Sequence, residues 1–325
     1  MAIPSISAFI VNYNTCALLE QCLKSIFYGK GDLDIEVFVA DNNSTDGSPE
    51  MVKVRFPEVS LTRYSQNVGF TSAINPLLPL AKGEYCLLLH PDLELMPNTL
   101  KEFVKFFECQ PQAGILGGNL HYPDGTPNPC EILFPGFKND LLSFAVRLFK
   151  KLPAGRKLVG NRNPMEWSHK STCEVNWVWN ACMIVRREVF EEVGYFDDQF
   201  FVWYADWDLC KRAADAGWLV YYLHPATAIH YERQSFAQED IPTEEVRYKV
   251  DGWYSGTRQI RDRHIFLKKH SNPASIYGVK IIYVTEYALR LWLILANLLF
   301  RKAIFKGASF QLKACIQRIQ AILNA

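Results

Sequence analysis

The chain has 325 residues, a length that suits one large α/β domain with an appendage or two small domains. Hydrophobic residues make up 49% of it and aromatic residues 14%, a composition that supports a packed core and excludes a disordered chain. The formal net charge of +1 gives no overall attraction to nucleic acid, so we expect no nucleic-acid partner.

The cysteines and the first residues indicate the compartment in which the protein works. Nine cysteines are scattered without a CxxC pair or a zinc spacing, which is typical of reduced thiols in a reducing compartment. The opening MAIPSISAFIVNYN lacks the basic region and the small-residue cleavage site of a secretion signal, and it predicts a core strand instead. We therefore expect a cytoplasmic protein.

Strand-like apolar runs alternate with helix-length segments through the first 120 residues. The strands are predicted at Ser5–Asn12, Ile35–Asp41, Ser60–Tyr64 and Tyr85–His90, and the helices at Leu18–Tyr28, Pro49–Phe56 and Leu100–Glu108. Near-continuously apolar strands are typical of a parallel sheet covered on both faces. Repeated strand–helix units then predict a mostly parallel, doubly wound α/β sheet of Rossmann-like type, which binds ligands at the carboxyl ends of its strands.

After His121 the pattern is less regular. It predicts a strand at Val175–Val185, a helix at Asp206–Ala216 that Gly217 ends, and a strand at Trp218–Leu223. Three stretches follow: a polar one (residues 232–245), a basic helical one (246–270) and a strongly apolar one (281–300).

Polar side chains follow all four N-terminal strands. The segments are NYNT (residues 12–15), DNNSTDG (41–47), QNVGF (66–70) and HPDLE (90–94). The first contains no glycine, so the GxGxxG signature of a dinucleotide-binding oxidoreductase is missing. Any one of these segments could simply end a strand or cap a helix. Four of them at one edge of a sheet predict a ligand site.

Three acids and one histidine are candidates for chemistry. Asp92 and Glu94 lie two apart in an extended segment, so both carboxylates can point the same way and suit a hard divalent cation, although a surface loop is the alternative. Asp206 begins a helix together with Asp208, and side chains two apart on a helix point about 200° apart, so only one can face a site. His230 follows a strand, where a structural role is the alternative.

Taken in order, these segments resemble the family-2 inverting glycosyltransferases of the GT-A fold, and within them the rhamnosyltransferase-like branch. The resemblance covers about residues 5–235 and is carried by IVNYNT, VADNNSTDGS, NVGF, LLLHPDLEL, ACMIVRRE, GYFDDQFF, DWDLCKRAADAGW and AIHY. It implies a nucleotide-sugar-binding half at residues 1–120 and an acceptor and catalytic half of the same domain at 121–245. A helical, membrane-associated extension would follow at 246–325.

The resemblance also implies a nucleotide-sugar pocket. Asn12 and Asn14 would line it, and Asp41 would meet the base of the nucleotide. Asn67 together with Gly69 would shape the wall beside the nucleotide and ribose.

A second set of roles concerns the reaction. Asp92 resembles the surviving acid of the family's metal motif, which holds Mg²⁺ or Mn²⁺ against the diphosphate, with His230 as the late metal or diphosphate ligand and Glu94 as a further candidate. Asp206 resembles the general base that takes the proton from the acceptor hydroxyl.

The chain departs from the family pattern at several places. His90 replaces the asparagine of the usual Asn-Pro-Asp, and Ala205 replaces the glutamate of the usual Glu-Asp pair. Trp179 and Asn180 replace small residues, which should narrow the acceptor or sugar pocket. These departures bear on which sugar is used more than on the class of reaction.

The C-terminal part is expected to lie on a membrane surface. Glu286 and Arg290 interrupt the apolar stretch at 281–300, and charges in mid-membrane are costly, so an interfacial helix is favoured over a span. The last 25 residues carry five basic side chains and no acidic one, which suits the inner face of the cytoplasmic membrane. A cap on the catalytic domain and a homodimer interface are the alternatives.

The expected function is that of a metal-dependent, inverting hexosyltransferase. It would move rhamnose or another hexose from a UDP- or dTDP-linked donor to a surface polysaccharide or lipid-linked glycan of the cell envelope. A nucleotidyltransferase would need a glycine- and lysine-rich phosphate loop near the N-terminus, which is missing. A catalytically silent nucleotide- or glycan-binding module is the alternative from another class, and it is favoured by Ala205 and His90.

Overall fold

The computed structural model describes residues 6–128, 134–150, 170–231, 256–301 and 308–324. The chain divides into two compact units, each assembled from two segments. The first comprises Met1–Leu133 and Glu166–Glu239, and the second comprises Phe134–Met165 and Asp240–Ala325. The polar stretch predicted at residues 232–245 lies outside the described residues.

The described residues of the first unit include one sheet of nine strands. The strands are β1 (Ile6–Asn12), β2 (Ile35–Asp41), β3 (Ser60–Arg63), β4 (Tyr85–Leu89), β5 (Leu93–Leu95), β6 (Ala113–His121), β7 (Cys173–Glu174), β8 (Cys182–Arg186) and β9 (Leu219–His230). Their order is β3-β2-β1-β4-β8-β6-β9-β5, with β7 pairing β9. Neighbours from β3 to β4 are parallel, as are β6 and β9, whereas β8, β5 and β7 pair antiparallel.

Helices flank this sheet in the first unit and make up the described residues of the second. They are α1 (Cys16–Gly29), α2 (Ser48–Arg55), α3 (Phe70–Ile74), α4 (Thr99–Cys109), α5 (Phe137–Lys150), α6 (Arg187–Val193), α7 (Ala205–Asp215), α8 (Gly256–His270), α9 (Pro273–Arg301) and α10 (Ala308–Asn324). The α/β class, the mostly parallel character of the N-terminal strands and the helical C-terminal part are thus confirmed.

The core forms because β1 is buried on both faces. Ile6, Ala8 and Ile10 point to one side and pack in one cluster with the apolar residues of α1. Phe9 points to the other side and stacks on Phe38 of β2, with ring centroids 5.0 Å apart. Each buried isoleucine or phenylalanine stabilises the fold by roughly 1.5–3 kcal/mol, which explains the unbroken apolar runs in these strands.

Two predicted strands differ from the structure. The segment Val175–Val185 is a strand only from Cys182, because Trp177 and Val178 are buried in an irregular segment, and apolar runs report burial rather than strand geometry. The strand predicted at Trp218–Leu223 continues to His230, past an irregularity in the pairing of β9 with β6.

The sheet gathers the polar strand ends at one edge. Asn12 at the end of β1 is paired in register with Asp41 at the end of β2. Because β8 runs antiparallel to β4, the start of β8 lies beside the end of β4, with Leu89 opposite Cys182. The end of β9 reaches the same region, since His230 pairs with Leu93.

The second unit contains the long helix α9. Val279 and Ile282 are buried, whereas Tyr277, Ile281 and Trp292 are each more than 60% exposed. Among the helices that the structure describes, none is both long and apolar enough to cross a membrane.

Candidate active site

The residues at the ends of β1 and β2 form one buried hydrogen-bonded cluster. Nδ2 of Asn12 donates to Oδ1 of Asp41 at 2.9 Å and to Oγ of Ser44 at 3.0 Å. Oδ2 of Asp41 accepts the main-chain N–H of Ser44 at 2.9 Å. Asn12 and Asp41 are completely buried, so in this structure their side chains fix the loop after β2. The contact between Asp41 and a nucleotide base stays a prediction.

Asn14, in the loop after β1, forms hydrogen bonds to the loop after β2 beside the same cluster. Its main-chain N–H donates to Oγ of Ser44 at 2.9 Å, and its Oδ1 accepts the N–H of Thr45 at 2.8 Å. Asn14 has a φ of 52° and Asn43 a φ of 67°, a left-handed conformation that asparagine adopts more readily than most residues.

Asn67 and Gly69, the residues predicted to form the pocket wall, lie beside the segment that precedes α7. The N–H of Gly69 donates to Oδ1 of Asn67 at 3.0 Å, and the next residue, Phe70, donates its N–H to the carbonyl of Phe201 at 2.8 Å. Gly69 has a φ of 88°, and a Cβ at this position would lie 2.6 Å from the ring of Phe201. No other residue fits without displacing that ring.

Three side chains of types that can bind a metal ion converge at the end of β4. His90 follows β4, Asp92 lies in the turn before β5, and His230 is the last residue of β9. One potential ligand atom from each lies within 4.8 Å of the others, and Nε2 of His230 is 3.4 Å from Oδ1 of Asp92. That spacing allows a single divalent cation to bind all three.

The charge state of Asp92 suits a ligand. Burial acts to raise its pKa, but the hydrogen bond from His230 and the proximity of His90 outweigh burial and leave the pKa below its ordinary value. Asp92 is therefore ionised at neutral pH, as a metal-binding carboxylate must be.

Glu94, the further metal candidate, lies outside this group. Its Oε2 accepts hydrogen bonds from Nε2 of Gln21 at 2.6 Å and from the hydroxyl of Tyr231 at 2.8 Å. Asp92 lies in a turn and Glu94 in β5, so the two-residue period of a strand does not align their side chains.

Asp206 is a buried carboxylate in the first turn of α7. Its Oδ2 accepts the N–H of Asn180 at 3.3 Å, and its Oδ1 accepts the N–H of Trp207 at 2.9 Å. Burial raises the pKa of Asp206 to about 7, although both N–H groups act to lower it. A carboxyl group with a pKa near neutrality can both accept and release a proton. Asp208 is instead paired with Arg212 at 2.8 Å.

Asn180 contacts both Asp206 and His90. Its main-chain N–H donates to Asp206, and its Oδ1 lies 3.2 Å from Nε2 of His90. Trp179, the other predicted pocket residue, is half-buried and lines a cavity of about 20 Å³ together with Asn128 and Tyr222. Asn180 and Asp206 therefore adjoin the group formed by His90, Asp92 and His230.

Two residues of this site were not predicted from the sequence. Ser44 holds both Asn12 and Asn14, and its only sequence signal is its position three residues after Asp41 in a polar loop. Asn128 contacts His230, with Nδ2 2.9 Å from Nδ1 of the imidazole. No local pattern indicates that contact, because it depends on the pairing of β6 with β9.

Several known proteins with similar sequences are named as glycosyltransferases. Residues 7–152 match the family model described as glycosyl transferase family 2. The N-acetylglucosaminyl-diphospho-decaprenol L-rhamnosyltransferase of Mycobacterium tuberculosis is 27% identical over 246 residues, which are 70% of this chain and 76% of that protein. The rhamnosyltransferase WbbL of Escherichia coli is 27% identical over 154 residues, 46% of this chain and 53% of that one.

A solved structure shares the fold. A mannosyltransferase from Pyrobaculum calidifontis, in complex with GDP-Man and Mn²⁺, aligns over 100% of this chain and 87% of its own, with a TM-score of 0.52 and 16% identity. The expected resemblance and the GT-A fold are confirmed by these matches.

Proposed function

We propose that this chain, whose residues 7–152 belong to glycosyl transferase family 2, transfers a hexose from a nucleoside diphosphate donor to a glycan or lipid-linked acceptor with inversion at the sugar. The observation that carries the proposal is the link through Asn180 between the group His90, Asp92 and His230 and the buried carboxylate of Asp206. A single displacement needs both components, one for the leaving diphosphate and one for the acceptor proton.

The nucleotide-sugar donor would bind at the carboxyl ends of the N-terminal strands. Their hydrogen-bonded cluster holds a rigid edge where a nucleotide can bind, as ligands do in sheets of this type. The residues that we assign to the nucleotide-sugar pocket are Asn12, Asn14, Asp41, Asn67 and Gly69.

His90, Asp92 and His230 would hold a divalent cation. When bound, such a cation neutralises the negative charge that develops on the leaving diphosphate. Two imidazoles beside one carboxylate favour Mn²⁺ over Mg²⁺, because Mg²⁺ prefers oxygen ligands.

Asp206 would act as the general base. The acceptor oxygen forms a bond to the anomeric carbon while the bond from that carbon to the diphosphate breaks, and the electron pair of the broken bond leaves with the diphosphate. The acceptor proton passes to Asp206. Its raised pKa supports this role, since a base with a pKa near the working pH accepts protons efficiently.

Trp179 and Asn180 would shape the sugar pocket. The similar sequences named as rhamnosyltransferases make rhamnose the first donor sugar to test. An indole face at this position suits the apolar methyl group of a deoxysugar.

A donor screen tests the reaction class. Purified protein is incubated with UDP-, dTDP- and GDP-linked sugars, Mn²⁺ or Mg²⁺ and a lipid-extract acceptor, and release of nucleoside diphosphate is measured. We expect release from one donor, with EDTA abolishing it. Binding of a nucleotide without release from any donor would instead support the silent binding module, which Ala205 favours.

We further propose that α9 rests on the inner face of the cytoplasmic membrane. Tyr277, Ile281 and Trp292 lie on one exposed apolar face, and Glu286 and Arg290 pair with each other at 2.6 Å. The basic side chains after residue 300 would complement anionic lipid headgroups.

Flotation with vesicles tests this membrane contact. We expect the chain to float with vesicles that contain phosphatidylglycerol and not with purely zwitterionic ones. Changing both Ile281 and Trp292 to Glu should abolish flotation, whereas Tyr28→Glu, which alters an 87% exposed residue of α1, should not. Equal flotation of wild type and the double variant would contradict the proposal. A wild-type dimer that the double variant dissociates would favour the homodimer interface.

A further inference from the structure

Asn128 is a buried side chain beside the metal-binding group. It follows β6 after a tight turn in which Tyr122 donates its N–H to the carbonyl of Thr126 at 2.8 Å. The N–H of Asn128 itself donates to the carbonyl of Leu120 at 2.9 Å. The returning segment is therefore fastened to β6, which pairs with β9. Because His230 ends β9, the sheet holds Asn128 and His230 side by side.

The amide of Asn128 meets the far edge of the His230 ring. Its Nδ2 lies 2.9 Å from Nδ1 of His230. Its Oδ1 is buried and finds no hydrogen-bond partner within the described part of the chain. A buried acceptor without a donor is unusual in a native protein and costs free energy, so the orientation of this amide bears on what the site does.

The two orientations of the amide correspond to two tautomers of His230. When Nδ2 donates to Nδ1, the neutral ring carries its hydrogen on Nε2, which lies 3.4 Å from Oδ1 of Asp92. After a 180° rotation of the amide, Oδ1 instead accepts a hydrogen from Nδ1. The lone pair of Nε2 then faces Asp92, which is the tautomer that a metal ligand needs.

We propose that Asn128 is a positioning residue that selects the tautomer of His230. With a cation bound, its carbonyl accepts the Nδ1–H and holds Nε2 as a ligand. Without a cation, its NH₂ group donates to Nδ1 and the Nε2–H lies on Asp92. The inference rests on the proposed cation site, and it gives the unpaired oxygen a donor in the working state.

The surroundings of Asn128 allow the amide to turn. Asn128 lines the cavity of about 20 Å³ beside Trp179 and Tyr222, which is room for about one water molecule. A water there can pair with whichever amide group faces away from His230. The main chain stays fixed through the bond to Leu120, so only the side-chain amide has to rotate.

Calorimetric titration of the full chain with MnCl₂ tests the role of Asn128. We expect Asn128→Ala to weaken Mn²⁺ binding by about 10- to 100-fold, the usual effect of removing the partner of a metal-bound histidine. Asn128→Asp should bind Mn²⁺ within about threefold of wild type, because a carboxylate accepts the same Nδ1–H.

Asn119 supplies a matched control on the same two strands. Its Nδ2 lies 3.1 Å from the carbonyl of His224 and 3.4 Å from its Nδ1, so it forms a similar amide–histidine pair away from the cation site. Asn119→Ala should leave Mn²⁺ affinity unchanged. Equal weakening by Asn119→Ala and Asn128→Ala, or wild-type affinity in Asn128→Ala, would overturn the role of Asn128.

The tautomer itself can be observed through the ¹⁵N resonances of His230 with and without saturating Zn²⁺, which is diamagnetic and binds imidazole readily. We expect the hydrogen on Nε2 in the cation-free chain and on Nδ1 in the loaded one. The same tautomer in both states would overturn the inference. If the wild-type chain binds neither cation, the cation site falls as well, whereas normal wild-type binding with an unaffected Asn128→Ala variant removes only the role of Asn128.

Discussion

Replacing Asp206 with Asn is expected to lower the rate of sugar transfer by about 10²- to 10⁴-fold, the usual contribution of a general base. The amide keeps the shape of the carboxylate and can still accept an N–H with its oxygen, but it cannot take the acceptor proton. Donor affinity, measured by calorimetry, should change little. Release of nucleoside diphosphate from the donor found in the screen gives the rate.

Asp208→Asn is the matched control. Asp208 lies two residues away on α7 and is also buried, but its partner is Arg212. We expect its transfer rate per folded molecule to stay near that of wild type. Comparable losses in both variants would mean that α7 has been disturbed, and a fully active Asp206→Asn variant would exclude Asp206 as the base.

The pKa of Asp206 sets the pH dependence of sugar transfer by the wild-type chain and of its stability relative to Asp206→Asn. Since burial raises that pKa to about 7, transfer should fall as the pH drops below 7. The folded pKa exceeds the ordinary value of about 3.9, so the folded state holds the proton more tightly, and stability is lost as the pH rises from about 4 to 7. Asp206→Asn should therefore unfold at higher denaturant concentration than wild type at pH 8 but not at pH 4.

Replacing Asp92 with Ala is expected to abolish Mn²⁺ binding and to lower transfer at least about 100-fold, because metal stabilisation of a leaving group is worth several kcal/mol. Titration with MnCl₂ and the transfer assay measure the two effects. Glu94→Ala tests whether Glu94 binds the cation, as the sequence pattern predicts, or lies outside the site, as its contacts in the structure indicate. Its bonds to Gln21 and Tyr231 place it outside the group, so its Mn²⁺ affinity should match wild type. If Glu94→Ala lost as much Mn²⁺ affinity as Asp92→Ala, the interpretation that Asp92 and Glu94 bind the cation together would be supported instead.

His90 allows the choice of metal to be tested separately. Wild type should bind Mn²⁺ at least about tenfold more tightly than Mg²⁺, because imidazole is a poor ligand for Mg²⁺. His90→Asn, which restores the residue usual in the family, should reduce that preference. An unchanged ratio of affinities would show that His90 does not bind the cation.

The N-terminal half of the fold could be predicted because its strands have a recognisable local sequence pattern. β1, β2 and β4 are unbroken apolar runs whose ends carry polar side chains, and burial on both faces requires that pattern. The segment around Trp177 is just as apolar without being a strand. The antiparallel insertion of β8 beside β4 could not be read from local pattern, because it depends on long-range pairing.

The sequence singles out individual residues of the candidate site but not the contacts that bring them together. Asp92 and His230 each stood out in the sequence, yet their contact follows from the pairing of β5 with β9. The pKa of Asp206 is raised because the side chain is buried. An acid in the first turn of a helix is usually exposed, so the sequence does not indicate this burial. Asn128 gave no signal at all, since an asparagine after a turn has an ordinary local role.

The contact between Gly69 and Phe201 makes position 69 the least changeable position of the proposed nucleotide-sugar pocket. A side chain at position 69 meets both the ring and the carbonyl of Phe201, so libraries aimed at new donors lose folded protein there. Trp179 is half-buried beside a cavity, so smaller residues at that position would enlarge this cavity while removing some packing against the core. In the proposed nucleotide-sugar pocket, position 69 is therefore one to keep as glycine and position 179 is one to vary.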